Sequence, residues 1–243
     1  MKAALFAGVA FGLLAAAPAV AADIGATPVY PAYQAPPIVV YGWRGFYLGI
    51  EGGAGWGSAT QTDVSPFTSG SYNVSGGLVG GTIGWNSQFD SWVFGLEGDG
   101  SGAWIKGSTP GTDPVSGTCG GATPQCRSNL EALGTFRGRV GFAFERFLPY
   151  VTGGVAVGSL HGSEGDVVAN AAAGAGTATV AGWTVGFGVE AKITPNWSAK
   201  VEYLHVDLGN HAIFTDSFVG FPPLPESIRF TSEIVRAGLN YRF

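Results

Sequence analysis

The chain closes on Val235-Arg236-Ala237-Gly238-Leu239-Asn240-Tyr241-Arg242-Phe243. Every second residue is apolar (Val235, Ala237, Leu239, Tyr241, Phe243), and those between are charged, polar or glycine. Period two is the mark of a strand with one apolar face. Seven earlier segments repeat it. Phe46, Leu48, Ile50, Ala54 and Trp56 oppose Tyr47, Gly49, Glu51, Gly53 and Gly55. Val79, Ile83 and Trp85 share a face in a segment from 74 to 86 that Leu78 interrupts. Trp92, Phe94, Leu96 and Trp104 oppose Glu97, Asp99 and Ser101. Phe136, Val140, Phe142 and Phe144 oppose Thr135, Arg137 and Arg139. Val151, Val155 and Val157 form the fifth face, and Trp183, Val185, Phe187, Val189 and Ile193 the sixth. Trp197, Ala199, Val201 and Tyr203 form the seventh, opposite Ser198, Lys200 and Glu202.

The connections sort by length. Those at 86–91, 145–146 and 194–196 are short. Those at 57–73, 105–129, 159–178 and 207–228 are long. Strict alternation puts every long connection at one end, as in an outer-membrane barrel with short periplasmic turns and long outer loops. A soluble sandwich has no reason to sort its loops in this way. The predicted fold is therefore all-β, an eight-stranded antiparallel transmembrane up-and-down barrel over residues 43–243. Its even strand count puts both termini in the periplasm.

Composition agrees. Charged residues are 12% of the chain, about half the ~25% usual in soluble domains. Gly supplies 41 of 243 residues and aromatics 13%. Low charge with many aromatics argues against disorder. A net charge of −5 gives no electrostatic footprint for nucleic acid. All seven tryptophans fall at predicted strand ends: Trp43, Trp85, Trp92 and Trp197 at the short-turn end, Trp56, Trp104 and Trp183 at the long-loop end. Indole prefers the headgroup level, so these two sets are predicted to form the aromatic girdles.

Met1 and Lys2 precede an apolar, alanine-rich run that ends Ala19-Val20-Ala21-Ala22. A basic start, an apolar middle and small residues at the cut describe a secretory signal peptide over residues 1–22. An uncleaved anchor is the competing reading. Residues 23–42, with Pro28, Pro31, Pro36 and Pro37, read as an extended periplasmic linker.

The parity facing away from lipid collects charge: Glu51, Glu97, Asp99, Glu190 and Glu202 with Arg137, Arg139, Lys192, Lys200 and Arg236. Charge in hydrocarbon is costly, so these side chains must point inward. A simple hairpin register sets Asp99 against Arg137 and Glu97 against Arg139, and the tight turn at Pro195 sets Glu190 against Lys200. Arg236 and Glu51 lie at similar depth on the strands that close the barrel. An eight-stranded barrel is just wide enough for side chains to fill it. A paired interior of this kind is predicted to conduct poorly.

The start Trp43-Arg44-Gly45-Phe46-Tyr47-Leu48-Gly49 and the closing segment quoted above resemble those of small porin-like, "outer membrane immunogenic" β-barrel proteins of alphaproteobacteria. The Pro/Tyr-rich leader is similar too. The resemblance implies an abundant surface barrel and places in Tyr241 and Phe243 the signal read by the outer-membrane assembly machinery. The lipid and lipopolysaccharide of the outer membrane are the expected surroundings.

Elsewhere the residues point to scaffolding. Cys119 and Cys126, spaced Cys-x6-Cys in an exported loop, are predicted to form a disulfide. His161-Gly162-Ser163-Glu164 offers a histidine and a serine two residues apart, the raw material of a lipid hydrolase, against a solvated-loop reading. Asp207, Asp216, Glu226 and Glu233 form no spaced acid dyad of a barrel protease, and His205 and His211 read as rim residues. No cofactor, metal or catalytic site is predicted. Phe214, Phe218, Phe221, Pro222 and Pro223 make the last loop apolar enough to fold over the mouth or meet a host partner or a flat ligand such as haem. The expected function is structural: envelope support and loop display. A narrow diffusion pore and a surface-binding protein are the alternatives.

Overall fold

The computed structural model describes residues 42–62, 68–110, 124–166, 171–216 and 224–243. The signal peptide, nearly all of the linker, Cys119 and most of the Phe/Pro-rich loop (Phe218, Phe221, Pro222, Pro223) lie outside them. Eight strands run in chain order: β1 (Gly45–Thr62), β2 (Thr68–Phe89), β3 (Trp92–Pro110), β4 (Pro124–Phe142), β5 (Phe147–Asp166), β6 (Ala171–Lys192), β7 (Trp197–Asp216) and β8 (Leu224–Arg242). Each pairs antiparallel with the next, and β8 returns to β1, closing the barrel. Closure leaves no open edge and satisfies the backbone internally, which a strand wall in lipid requires.

Exposure alternates along each strand, with the apolar parity outside. Phe46, Leu48 and Ile50 are exposed while Tyr47 and Glu51 are buried. Trp92 and Trp104 both project outward from β3. Twelve residues at ~3.3 Å rise and ~40° tilt separate them by ~30 Å across the wall, the height of a hydrocarbon band plus its rims.

The strands are longer than the alternation predicts, at 18 to 22 residues. Most of the residues expected as long loops continue the ladders past the girdle. Ladder hydrogen bonds form in water as well as in lipid, and Ser/Thr-rich hairpins extend without needing an apolar face. The short turns stay short. Two of them carry non-glycine residues at positive φ, Asp90 (50°) and Glu145 (51°).

Two registers are informative. Glu190 faces Lys200 across the β6–β7 hairpin, as the three-residue turn dictates. Between β3 and β4, Glu97 faces Arg137 and Asp99 faces Thr135, two residues from the simple hairpin expectation. No tight turn fixes this pair, and the observed register packs Trp92 edge-on against Phe142 at 5.5 Å.

Glycine has separate uses on the two faces. Gly84 faces inward, where a Cβ would fall on the Tyr47 ring. Gly98, Gly100, Gly102 and Gly138 face outward. A Cβ at Gly100 or Gly102 would meet nothing within 4 Å.

Candidate functional site

The lumen is filled in three layers. At the loop end, inward-facing aliphatic and aromatic residues of all eight strands pack together, with Leu78, Ile105, Leu130, Leu204, Phe230 and Ile234 at most 3% exposed. At mid-depth lies a charge layer. At the turn end, Trp43 packs with Val93 and Leu148.

The charge layer is continuous. Arg137 pairs with Glu97 at 2.6 Å, Asp99 at 2.9 Å and Glu202 at 3.0 Å. Arg139 pairs with Glu190 at 2.7 Å and Glu97 at 3.3 Å. Arg236 contacts Glu51, Asp99 at 3.0 Å and Glu202 at 2.7 Å. Lys200 pairs with Glu51 at 3.1 Å and Glu97 at 3.0 Å. Lys200 stands on β7 and Glu97 on β3, four strands apart in a ring of eight, so this pair crosses the full lumen.

Glu97 with Arg137 and Glu202 with Arg236 pair along the ladder, while other side chains choose partners across the lumen. Glu190 faces Lys200 in register, yet its carboxylate goes to Arg139 and accepts from Ser198 Oγ at 2.5 Å. Arg137 reaches both Glu97 and Asp99, so the expected Asp99 contact exists from a different register.

Two expectations need correction. Trp43 is not a girdle residue: it is fully buried in the turn-end mouth. It precedes β1 but keeps the inward parity of Tyr47 and Glu51, so its depth at the strand end matched a girdle while its parity turns the side chain into the mouth. Its backbone N–H donates to Gln88 Oε1 at 2.8 Å. Lys192 is buried but pairs with no carboxylate among the described residues. It donates to the Pro195 carbonyl at 2.7 Å and lies over the Trp43 ring at 5.2 Å. Arg242 takes its place in the layer, reaching Glu190 at 3.6 Å and donating to the Trp43 carbonyl. Five carboxylates then meet five cations.

Neutral groups complete the layer. Tyr47 Oη donates to Glu97 at 2.6 Å, Tyr150 Oη to Glu202 at 3.0 Å, and Thr135 Oγ1 to Asp99 at 2.5 Å. Hydrogen bonds beyond the ion pairs are what make buried charge tolerable.

A family model of outer membrane protein β-barrel domains matches residues 7–243. The chain belongs to this outer-membrane β-barrel family. It is 35% identical over 258 residues to the 31 kDa outer-membrane immunogenic protein of Brucella melitensis, covering 100% of both chains. It is 34% identical over 177 residues to the 22 kDa outer membrane protein of Rhizobium leguminosarum, covering 72% of this chain and 69% of that one. Among solved structures, the outer membrane protease OmpT of Escherichia coli superposes with a TM-score of 0.52 at 12% identity, over 82% of this chain and 97% of that one. At that identity the likeness is one of fold.

On the outer wall of this family barrel, Trp56, Trp85, Trp92, Trp104, Trp183 and Trp197 all project outward, each about half exposed. Tyr241 lies between Trp197 (5.2 Å) and Phe243 (5.3 Å), all three facing out at the turn end. His161 and Ser163 both face outward on β5, but His161 Nδ1 meets Thr177 Oγ1 at 2.9 Å. Glu233 accepts from Tyr203 Oη and meets His205 Nδ1 at 2.7 Å, while Asp207 faces Arg229 at 3.7 Å. His211 Nε2 meets the Ala181 carbonyl at 3.1 Å. The side chains of Glu164, Phe214, Asp216 and Glu226 lie outside the described residues. Cys126 is buried and disulfide-bonded.

Sequence reasoning missed Tyr47, Tyr150, Arg242 and the aliphatic layer. The signal for the last was present: Leu204, Val206 and Leu208 continue the parity of Lys200 and Glu202.

Proposed function

We propose that the protein is a closed structural barrel of the outer membrane, supporting the envelope and displaying its loops rather than passing solutes. On this reading residues 1–22 direct export, residues 23–42 link the barrel within the periplasm, and both ends of the barrel chain lie on the periplasmic side. Tyr241 and Phe243 present the closing strand to the assembly machinery. No catalytic step is assigned: His161 is engaged by Thr177 rather than by Ser163.

The observation that carries the reading is the Lys200–Glu97 pair, which joins opposite walls of the lumen at 3.0 Å. A diffusion pore needs a continuous water path, and this tie lies between an aliphatic layer on one side and Trp43 on the other. The test is single-channel recording from refolded residues 23–243 in a planar bilayer. Silence from folded protein is expected. Steady, uniform conductance steps would replace this reading with passive diffusion.

A further inference from the structure

The chain has 12 Lys and Arg residues. Arg137, Arg139, Lys192, Lys200, Arg236 and Arg242 are inside the lumen. Arg44 and Arg146 belong to the turn end, and Lys2 lies outside the described residues. Three remain for the loop end: Lys106, Arg127 and Arg229. Arg229 faces Asp207 on the β7–β8 side. Lys106 and Arg127 share a cavity of about 540 Å³ with Ser108, Asn129, His161 and Ser163.

The cavity sits on the outside of the wall. Lys106 has the parity of Trp104, two residues further along β3, and both are exposed. Lys106, Asn129 and His161 form one row across β3, β4 and β5, and Ser108, Arg127 and Ser163 form the next. Two residues of tilted strand raise the first row ~5 Å above the indole girdle, the level of lipid headgroups. Glu131, nearer the girdle on β4, receives Asn129 Nδ2 at 3.4 Å and is not part of the cavity lining.

Below the cavity the wall is smooth. Gly102 faces Ala132, and Gly100 lies between Gly81 and Gly134 in register. Open space lies over Gly100 and Gly102. With no side chain in the way, a hydrocarbon chain approaches the backbone closely, as small residues permit in membrane packing.

We infer that Lys106, Arg127 and His161 form a lateral site for the anionic headgroup of an outer-leaflet glycolipid, whose acyl chain runs past Trp104 onto the glycine-lined wall of β3 and β4. A soluble anion fits the cavity alone. Only a lipid uses both the cavity and the track beneath it. The guanidinium and ammonium groups supply charge-assisted donors to phosphate or carboxylate, and the serines and Asn129 add neutral ones. The inference rests on the outer-membrane placement proposed above but not on the closed lumen, so a conducting barrel would leave it intact.

The test uses the refolded chain in phosphatidylcholine bilayers doped with lipid A. Lipid retained after extraction into mild detergent is counted by native mass spectrometry. Wild type is expected to retain lipid A over phosphatidylcholine. The double variant Lys106→Ala/Arg127→Ala is expected to lose retention by roughly tenfold or more, from two interfacial cations. Gly102→Leu is expected to weaken retention with every charge in place. Arg229→Ala, outside the cavity, is expected to match wild type. All three variants alter exposed positions, and heat-modifiable migration on gels verifies that each is folded. Unchanged retention in the double variant, or equal loss in Arg229→Ala, would overturn the site. Displacement of bound lipid A by millimolar inorganic phosphate, with Gly102→Leu unaffected, would reduce it to a simple anion site and overturn the lipid assignment.

Discussion

Replacing Arg137 by methionine tests whether the charge layer holds the barrel together. Methionine keeps most of the volume and removes the guanidinium, so the effect reports charge rather than a cavity. Arg137 has no solvent exposure and pairs with three carboxylates between 2.6 and 3.0 Å. The cost is not three times that of one pair, because each carboxylate keeps another cation. Glu97 retains Arg139 and Lys200, while Asp99 and Glu202 retain Arg236. What remains is one net buried negative charge, worth ~3–5 kcal/mol when a partner is removed, and the shared partners favour the ~3 kcal/mol end. With a urea m-value near ~2 kcal/mol/M, the midpoint falls by about 1.5 M. The assay is equilibrium urea unfolding in vesicles, followed by tryptophan fluorescence and approached from both directions. Adding Glu202→Gln restores neutrality and should recover about half of the loss, since the two sites are coupled. A midpoint within about 0.3 M of wild type, or a double variant no more stable than the single one, would refute the claim that neutrality of this layer stabilises the fold.

Other expectations follow from the layering. Lys200→Ala/Arg236→Ala removes ties across the lumen but leaves the aliphatic layer, so planar-bilayer recordings should remain silent. Conductance from that variant would mean that the charges alone seal the barrel. In single-tryptophan variants, brominated lipids should quench Trp92 and Trp104 and spare Trp43, which is buried in the mouth. Strong quenching of Trp43 would place it back on the wall. Gly84→Ala drives a methyl group into the Tyr47 ring and should cost ~1–3 kcal/mol in urea unfolding. Gly100→Ala, facing open space, should be neutral or raise stability by ~0.5 kcal/mol, and a reversed order would contradict the assignment of faces.

The wall was legible because lipid tolerates only one kind of residue. Leu239, Tyr241 and their counterparts had to be apolar, so parity showed directly. The β6–β7 register was legible because Pro195 sits in a turn too short to allow a choice. The β3–β4 register was not, since the connection between these strands is long and no tight turn fixes their pairing. Trp43 was misread because only its depth at the strand end was weighed, although the parity it shares with Tyr47 and Glu51 points inward. The membership of the charge layer was legible in nine of its ten positions, because charge could go nowhere but inward. Its wiring was not, because Lys200 and Glu97 are 103 residues apart and meet only once the ring has closed.

Arg236 also sets an order of events. It stands on the last strand, yet its partners Glu51, Asp99 and Glu202 belong to the first, third and seventh. A chain cut before β8 would leave these three carboxylates short of their shared cation and expose two unpaired strand edges to lipid. Both faults vanish in the same step, when the final strand zips between β7 and β1. One strand thus completes both the ladder of the wall and the ion cluster inside it, so Arg236 couples closure of the barrel to neutralisation of its interior.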